Sequence, residues 1–315
     1  MKFTLGDLVN YSLQDLLNPK HFTQLDDVKY FSYVIGVLKE IFSYPENVNK
    51  IEQSRKGLYC HNYRTSLPMG KGVSSSAAVC VIIARIFNKI YEFNWDVERE
   101  IEYAFIGERA IGSECGKLDH ACAYGDVARC LSIRFNINSS ITIEKMIPRN
   151  TNISSGNEKS ERKIYMLLID LNASKDTIKI LKDLNRAFSL TSSDDLDNDM
   201  INNAHSYLLT ENIEVCQQAL QHVDNKNASE LGKLFNRAQQ LFDNNLRPLC
   251  TSELNAPILH SVLQDETVKK LSYGGKGVGS GGDGSCLVCC IGENERILLR
   301  QYLEQKNMTC LDLTL

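Results

Sequence analysis

The chain has 315 residues, of which 43% are hydrophobic and 23% charged; this excludes global disorder and collagen-like repeats and leaves room for two domains. A net charge of −4 argues against a nucleic-acid backbone as the main partner, although glycine loops and helix starts still bind small anions. The longest apolar stretch, Ala77 to Ile83, is too short to span a bilayer and is followed by Arg85, so no membrane partner is expected. The amino terminus has no basic region followed by an apolar core and does not read as a secretory signal. The 11 cysteines are therefore expected as thiols in a reducing cytoplasm. They lack a set of C-x-x-C pairs; a structural zinc site would need a second pair and suitably spaced histidines, which the six His residues do not supply.

In chain order, the apolar spacing of Tyr30, Phe31, Val34, Val37, Leu38 and Ile41 predicts a helix over about 28–42, ended by Pro45 and Asn47. Residues 57–67 alternate weakly and read as a strand before a loop at 68–74. A strong helix capped by serines follows at 75–91, and Asp96 is expected to cap another that runs to about Ile111. Strands are expected near 129–137 and 141–146, then a polar linker at 149–162. A strand at 163–170 leads to a helix from about Lys175, and an acidic loop covers 192–199. Residues 200–246 read as about three helical segments. The chain closes with a strand near 268–273, a glycine loop, a strand at 286–291, a helix at 293–304 and a strand at 309–313. This order predicts a mixed α+β protein of two lobes.

Three segments carry chemistry. In Pro68-Met-Gly-Lys-Gly-Val-Ser-Ser-Ser-Ala-Ala78 a glycine loop opens onto a helix with a small, hydroxylated first turn, which aims backbone N–H groups and the helix dipole at one point. Phosphate is the natural ligand, and a serine there reaches a bound Mg²⁺; an ordinary N-capped helix fits the same residues. Gly274 to Gly284 places seven glycines in eleven residues between two strands, which suits close approach to phosphate or substrate and also a flexible hairpin. Its formal G-x-G-x-x-G is not a dinucleotide fingerprint, because a strand rather than a helix follows. In Gly107 to His120, Glu108 near a helix end and Asp119 after a Cys-Gly turn supply the two carboxylates that phosphoryl transfer to a hydroxyl uses, or are solvated surface acids.

Together the three segments resemble the GHMP kinases, the family of galactokinase, homoserine kinase, mevalonate kinase and phosphomevalonate kinase. Residues 68–78 are similar to the family's phosphate loop, and Gly-Val-Ser-Ser-Ser-Ala-Ala is closest to the galactokinase branch. Cys115-Gly-Lys-Leu-Asp-His120 resembles that branch's C-G-x-M-D-Q, with His120 in place of glutamine. Lys276 to Gly282 resembles the third family motif. The resemblance implies a ribosomal-S5-like lobe over 1–160 and a ferredoxin-like lobe over 161–315. It also implies ATP and Mg²⁺ as cofactors, and a sugar hydroxyl as acceptor. Gly70, Lys71, Gly72, Ser74, Ser75 and Ser76 are then the ATP phosphate cradle, and Ser76 and Glu108 the Mg²⁺ ligands. Asp119 is the catalytic acid–base group, and Lys276, Gly277, Gly279, Ser280 and Gly281 form the substrate or phosphate loop. His120 is expected to alter only a hydrogen bond behind the site. Lys175 and Asp176 read either as substrate contacts or as a capped helix start. The family's opening motif has no counterpart before Tyr30, so the first lobe is expected to be incomplete at its start. A mevalonate-type kinase, or a truncated homologue that only binds a sugar or nucleotide, are the alternatives.

Overall fold

The computed structural model describes residues 4–18, 20, 25–62, 74–113, 115–123, 130–135, 141–146, 163–173, 175–187 and 197–315. The chain divides into two compact units, one of residues 1–69 and 74–128, the other of 70–73 and 129–315.

The described part of the first unit is helical: α1 (Leu5–Asn10), α2 (Leu13–Leu16), α3 (Leu25–Phe42), α4 (Pro45–Ser54), α5 (Ser75–Tyr91), α6 (Val97–Ala110) and α7 (Lys117–Ala123). Pro45 does not simply end α3. It occupies the first turn of α4, where its missing N–H costs nothing. The strand expected at 57–67 is not there over the described residues 57–62, which have no regular structure. The core joins Ile35, Val37 and Ile41 of α3 to Cys80, Val81, Ala84 and Phe87 of α5 and to Tyr103 and Ala104 of α6. Helices α3 and α6 cross at two glycines: a Cβ on Gly36 would stand 2.2 Å from the Gly107 carbonyl oxygen. Only hydrogen side chains permit that approach, and it seats the next residue, Glu108, inside the unit.

The second unit contains β1 (Cys130–Phe135) and β2 (Ile141–Met146), an antiparallel pair. After β3 (Tyr165–Asp170) comes a helical run: α8 (Thr177–Arg186), α9 (Asn198–Ser206), a π turn at Tyr207–Glu211, α10 (Asn212–Asp224) and α11 (Ala228–Asn245). A 3₁₀ turn at Arg247–Cys250, α12 (Thr251–Leu254), α13 (Pro257–Gln264) and α14 (Glu266–Leu271) lead to β4 (Ser272–Gly277), β5 (Ser285–Cys290), α15 (Glu293–Glu304) and β6 (Thr309–Thr314). Strands β3 to β6 form one antiparallel sheet in the order β4-β5-β3-β6. Numbered within the sheet, that is second-third-first-fourth, or 4-1-3-2 read from the other edge, the βαββαβ arrangement of ferredoxin-like folds, as expected for this lobe.

The strand expected near 268–273 lies further on. Residues 266–271 are helical, and the strand runs through Gly274, Gly275 and Gly277. The glycines answer to α11, which lies across β4. A Cβ on Gly274 would meet the Gly232 carbonyl oxygen at 2.1 Å. The N–H groups of Gly275 and Gly277 donate to Asn236 Oδ1 (2.9 Å) and Gln239 Oε1 (2.7 Å).

Candidate active site

Helix α5 begins directly after Ser74, which has a left-handed backbone (φ 58°) and makes no side-chain cap bond. The expected serine cap is therefore not formed; a capping residue ordinarily has an extended backbone, which Ser74 lacks. A non-glycine residue in this region is uncommon and strained, and such residues gather at functional sites. The 17-residue helix thus presents the first-turn N–H groups of Ser75 and Ser76 without a serine cap. Gly70, Lys71 and Gly72 lie outside the described residues, as does the expected linker at 149–162.

Glu108 sits near the end of α6 and is 2% exposed, not the solvated acid that its sequence position also allowed. The Ser113 hydroxyl donates to its Oε1 at 3.1 Å, and Ser76 contributes a second side-chain hydrogen bond. Nε2 of His120, on α7, stands 2.9 Å from Oε2, yet neither atom finds a well-directed hydrogen bond. Burial pushes the Glu108 carboxyl up, but His120 and the hydroxyls of Ser76 and Ser113 outweigh it and hold the group below its ordinary value. Ser76 and Glu108 are thereby brought together, a hydroxyl and a buried carboxylate with one poorly satisfied oxygen. This donor set fits a hard cation such as Mg²⁺.

Asp119 lies in the first turn of α7, half-buried, one residue before His120. Burial, then the charge of Glu108 and to a lesser degree that of Asp119, push the Cys115 thiol up to about 11. His120 is completely buried, with Nδ1 3.4 Å from the Gly116 carbonyl oxygen and its ring edge-on to Phe105. It therefore touches Glu108 directly, a contact of the kind expected behind that carboxylate. Cys80, one helical turn after Ser76 on α5, completes this cluster. Sequence reading passed over Cys80 and Ser113; the i, i+4 spacing of Ser76 and Cys80 was the one available signal.

In the second unit Lys276 and Gly277 belong to strand β4, not to the loop. The Lys276 ammonium donates to the Gly277 carbonyl (2.8 Å), and burial lowers its pKa. Gly279 and Gly281 have left-handed backbones, and Ser280 Oγ is buried without a hydrogen-bond partner. Lys175 supports this loop from below, donating to the carbonyls of Gly281 (2.7 Å) and Val278 (3.2 Å). Burial drives its pKa down to about 8. Asp176 caps α8 by accepting from the Lys179 N–H at 2.9 Å. Both residues thus have structural contacts within their own unit.

Residues 32–126 match the family described as GHMP kinases N terminal domain. No curated protein sequence matches the chain. Among solved structures it is similar to L. major mevalonate kinase in complex with R-mevalonate, at 17% identity over 77% of this chain and 65% of that one, with a TM-score of 0.53. It is also similar to Lactococcus lactis galactokinase complexed with galactose, at 15% identity over 93% and 79% with a TM-score of 0.59. For Methanococcus jannaschii mevalonate kinase the values are 14%, 99%, 80% and 0.56. The chain thus spans slightly under two thirds of the first of these. At these identities the likeness speaks for the fold. No described helix is long and apolar enough to cross a membrane.

Proposed function

We propose, starting from a chain that belongs to the GHMP kinase family, that it is an ATP-dependent kinase transferring the γ-phosphate to a sugar hydroxyl. The observation that carries this reading is the meeting of Ser76, at the start of α5, with the buried Glu108 carboxylate. A helix N-terminus suited to phosphate and two oxygen donors suited to its counter-cation stand together. The Cys115-Gly-Lys-Leu-Asp119 segment, closest to the galactokinase branch, favours a sugar over a mevalonate-type acceptor.

In this reading the N–H groups of Ser75 and Ser76, with Gly70, Lys71, Gly72 and Ser74, hold the ATP phosphates. Ser76 and Glu108 would hold Mg²⁺, which when bound neutralises charge on the β- and γ-phosphates. His120 and Ser113 fix the Glu108 carboxylate, and its low pKa keeps it anionic at neutral pH. Asp119 accepts the proton of the acceptor hydroxyl as its oxygen bonds to the γ-phosphorus and the bond to the ADP oxygen breaks. Lys276, Gly277, Gly279, Ser280 and Gly281 are the substrate or phosphate loop in this reading. The thiol-rich composition suits a reducing cytoplasm.

The test is ADP release from Mg-ATP over a panel of monosaccharides, with mevalonate and homoserine included and Asp119→Asn alongside. Sugar-dependent release that falls by about 10²–10⁴ in the variant is expected. Release only with mevalonate moves the acceptor class. No release with any acceptor, from a chain that still binds ATP, supports the binding-only alternative.

A further inference from the structure

Cys80 of α5, Glu108 of α6 and His120 of α7 bring a thiol sulfur, a carboxylate oxygen and an imidazole nitrogen within 4.8 Å of one another, all three residues buried. Glu108 Oε2 and His120 Nε2 face each other without a well-directed hydrogen bond, an expensive state for polar atoms removed from water. Those two atoms, with the Cys80 sulfur beside them, leave one electrophile-sized need at a single point. The donors are those of a three-ligand zinc site with a fourth position open. Tetrahedral zinc, with bonds of about 2.0–2.3 Å, spaces its ligand atoms about 3.3–3.8 Å apart, so the widest separation has to draw in by at most about 1 Å and the Glu108–His120 pair, at 2.9 Å, has to open slightly. Mg²⁺ is the wrong occupant for the full set, because it asks for six oxygens and rejects thiolate.

We propose that Cys80, Glu108 and His120 form a binding site for a soft divalent cation of the zinc class. The thiol gives its proton to solvent as the metal–sulfur bond forms. The site does not depend on the kinase reading. Where that reading holds, zinc withdraws Glu108 from the cation of ATP and inhibits.

The experiment uses the full-length chain, reduced and stripped of metal, without nucleotide. Zinc is titrated against a chromophoric chelator, and cobalt(II) serves as the optical probe. One bound equivalent and a thiolate-to-cobalt charge-transfer band are expected. Cys80→Ser and His120→Gln are each expected to weaken binding by about 10-fold or more. A chain with the exposed Cys60, Cys122 and Cys216 replaced by serine is expected to bind as before. Undiminished affinity in Cys80→Ser or in His120→Gln overturns the proposal, as does loss of binding in the triple-serine chain or no binding by the wild type. If Cys80→Ser does not fold, the decision rests on whether His120→Gln abolishes the cobalt band in the triple-serine background.

Discussion

Glu108 and Lys175 are both ionisable side chains drawn into the protein beside a serine- or glycine-rich segment, and the fold treats them in opposite ways. Glu108 is met by side chains, the hydroxyls of Ser76 and Ser113 and the His120 ring, and is held below its ordinary pKa despite burial. Lys175 is met by two backbone carbonyls, and burial drives it down to about 8. The first arrangement preserves a charge; the second tolerates the loss of one. A carboxylate meant to serve a cation has to stay anionic. The lysine's stem packs under Gly282 and Gly284, and it acts there chiefly as a strut.

The largest test of this contrast is Glu108→Ala. Removing the acceptor strands the donors around it, and a loss of about 3–5 kcal/mol is expected in urea unfolding. A loss under about 1 kcal/mol would remove Glu108 from its position as the organiser of the cluster. Next is Gly274→Ala in the strand above the loop. The methyl meets backbone at 2.1 Å and the φ of +155° strains it further, so about 1–3 kcal/mol is expected, again by urea melts. A neutral effect there would show that α11 can lift from β4.

A second carboxylate calibrates the pair. Asp265 caps α14 and binds Tyr302 and Lys306; burial pushes it up, but these partners and the amides of Thr267 and Val268 bring it down to about 2. Because the folded state holds it lower than the free value of 3.8, its contribution is complete above that value and fades as pH falls towards 2. Asp265→Asn is expected to cost about 1–2 kcal/mol at pH 7, and the gap to wild type should narrow across that acid window in melts. The smallest effect belongs to Lys175→Met. The unfolded chain binds more protons than the folded one between about 8 and 10.5, so wild-type stability should rise with pH across that window relative to the variant. A flat difference would mean that the lysine is not desolvated.

Much of this was legible from residues alone where side chains repeat on one face. The apolar run of α5, the Asp96 cap of α6 and the ends of α15 were read from spacing and caps, and the structure has them at 75–91, 97–110 and 293–304. Pro45 misled because the same residue that ends one helix starts another. Strand β4 was misplaced because glycines carry no side chain from which to read an alternation; their meaning lies in Gly232, Asn236 and Gln239, some forty residues earlier. The Cys80–Glu108–His120 cluster was invisible for a related reason. Metal spacings are searched along the chain, whereas here three helices each supply one donor.

The glycine strand has one more consequence, for how the molecule avoids its own kind. An outer strand normally offers a row of outward amides to any passing chain. On β4 those of Gly275 and Gly277 are already occupied by the side chains of α11. Strand β6 is thereby left as the one outer strand of this sheet whose amides α11 does not engage. A sheet accessible from one side can add a single neighbour but cannot propagate in both directions, so misassembly through it ends at a pair instead of a fibril.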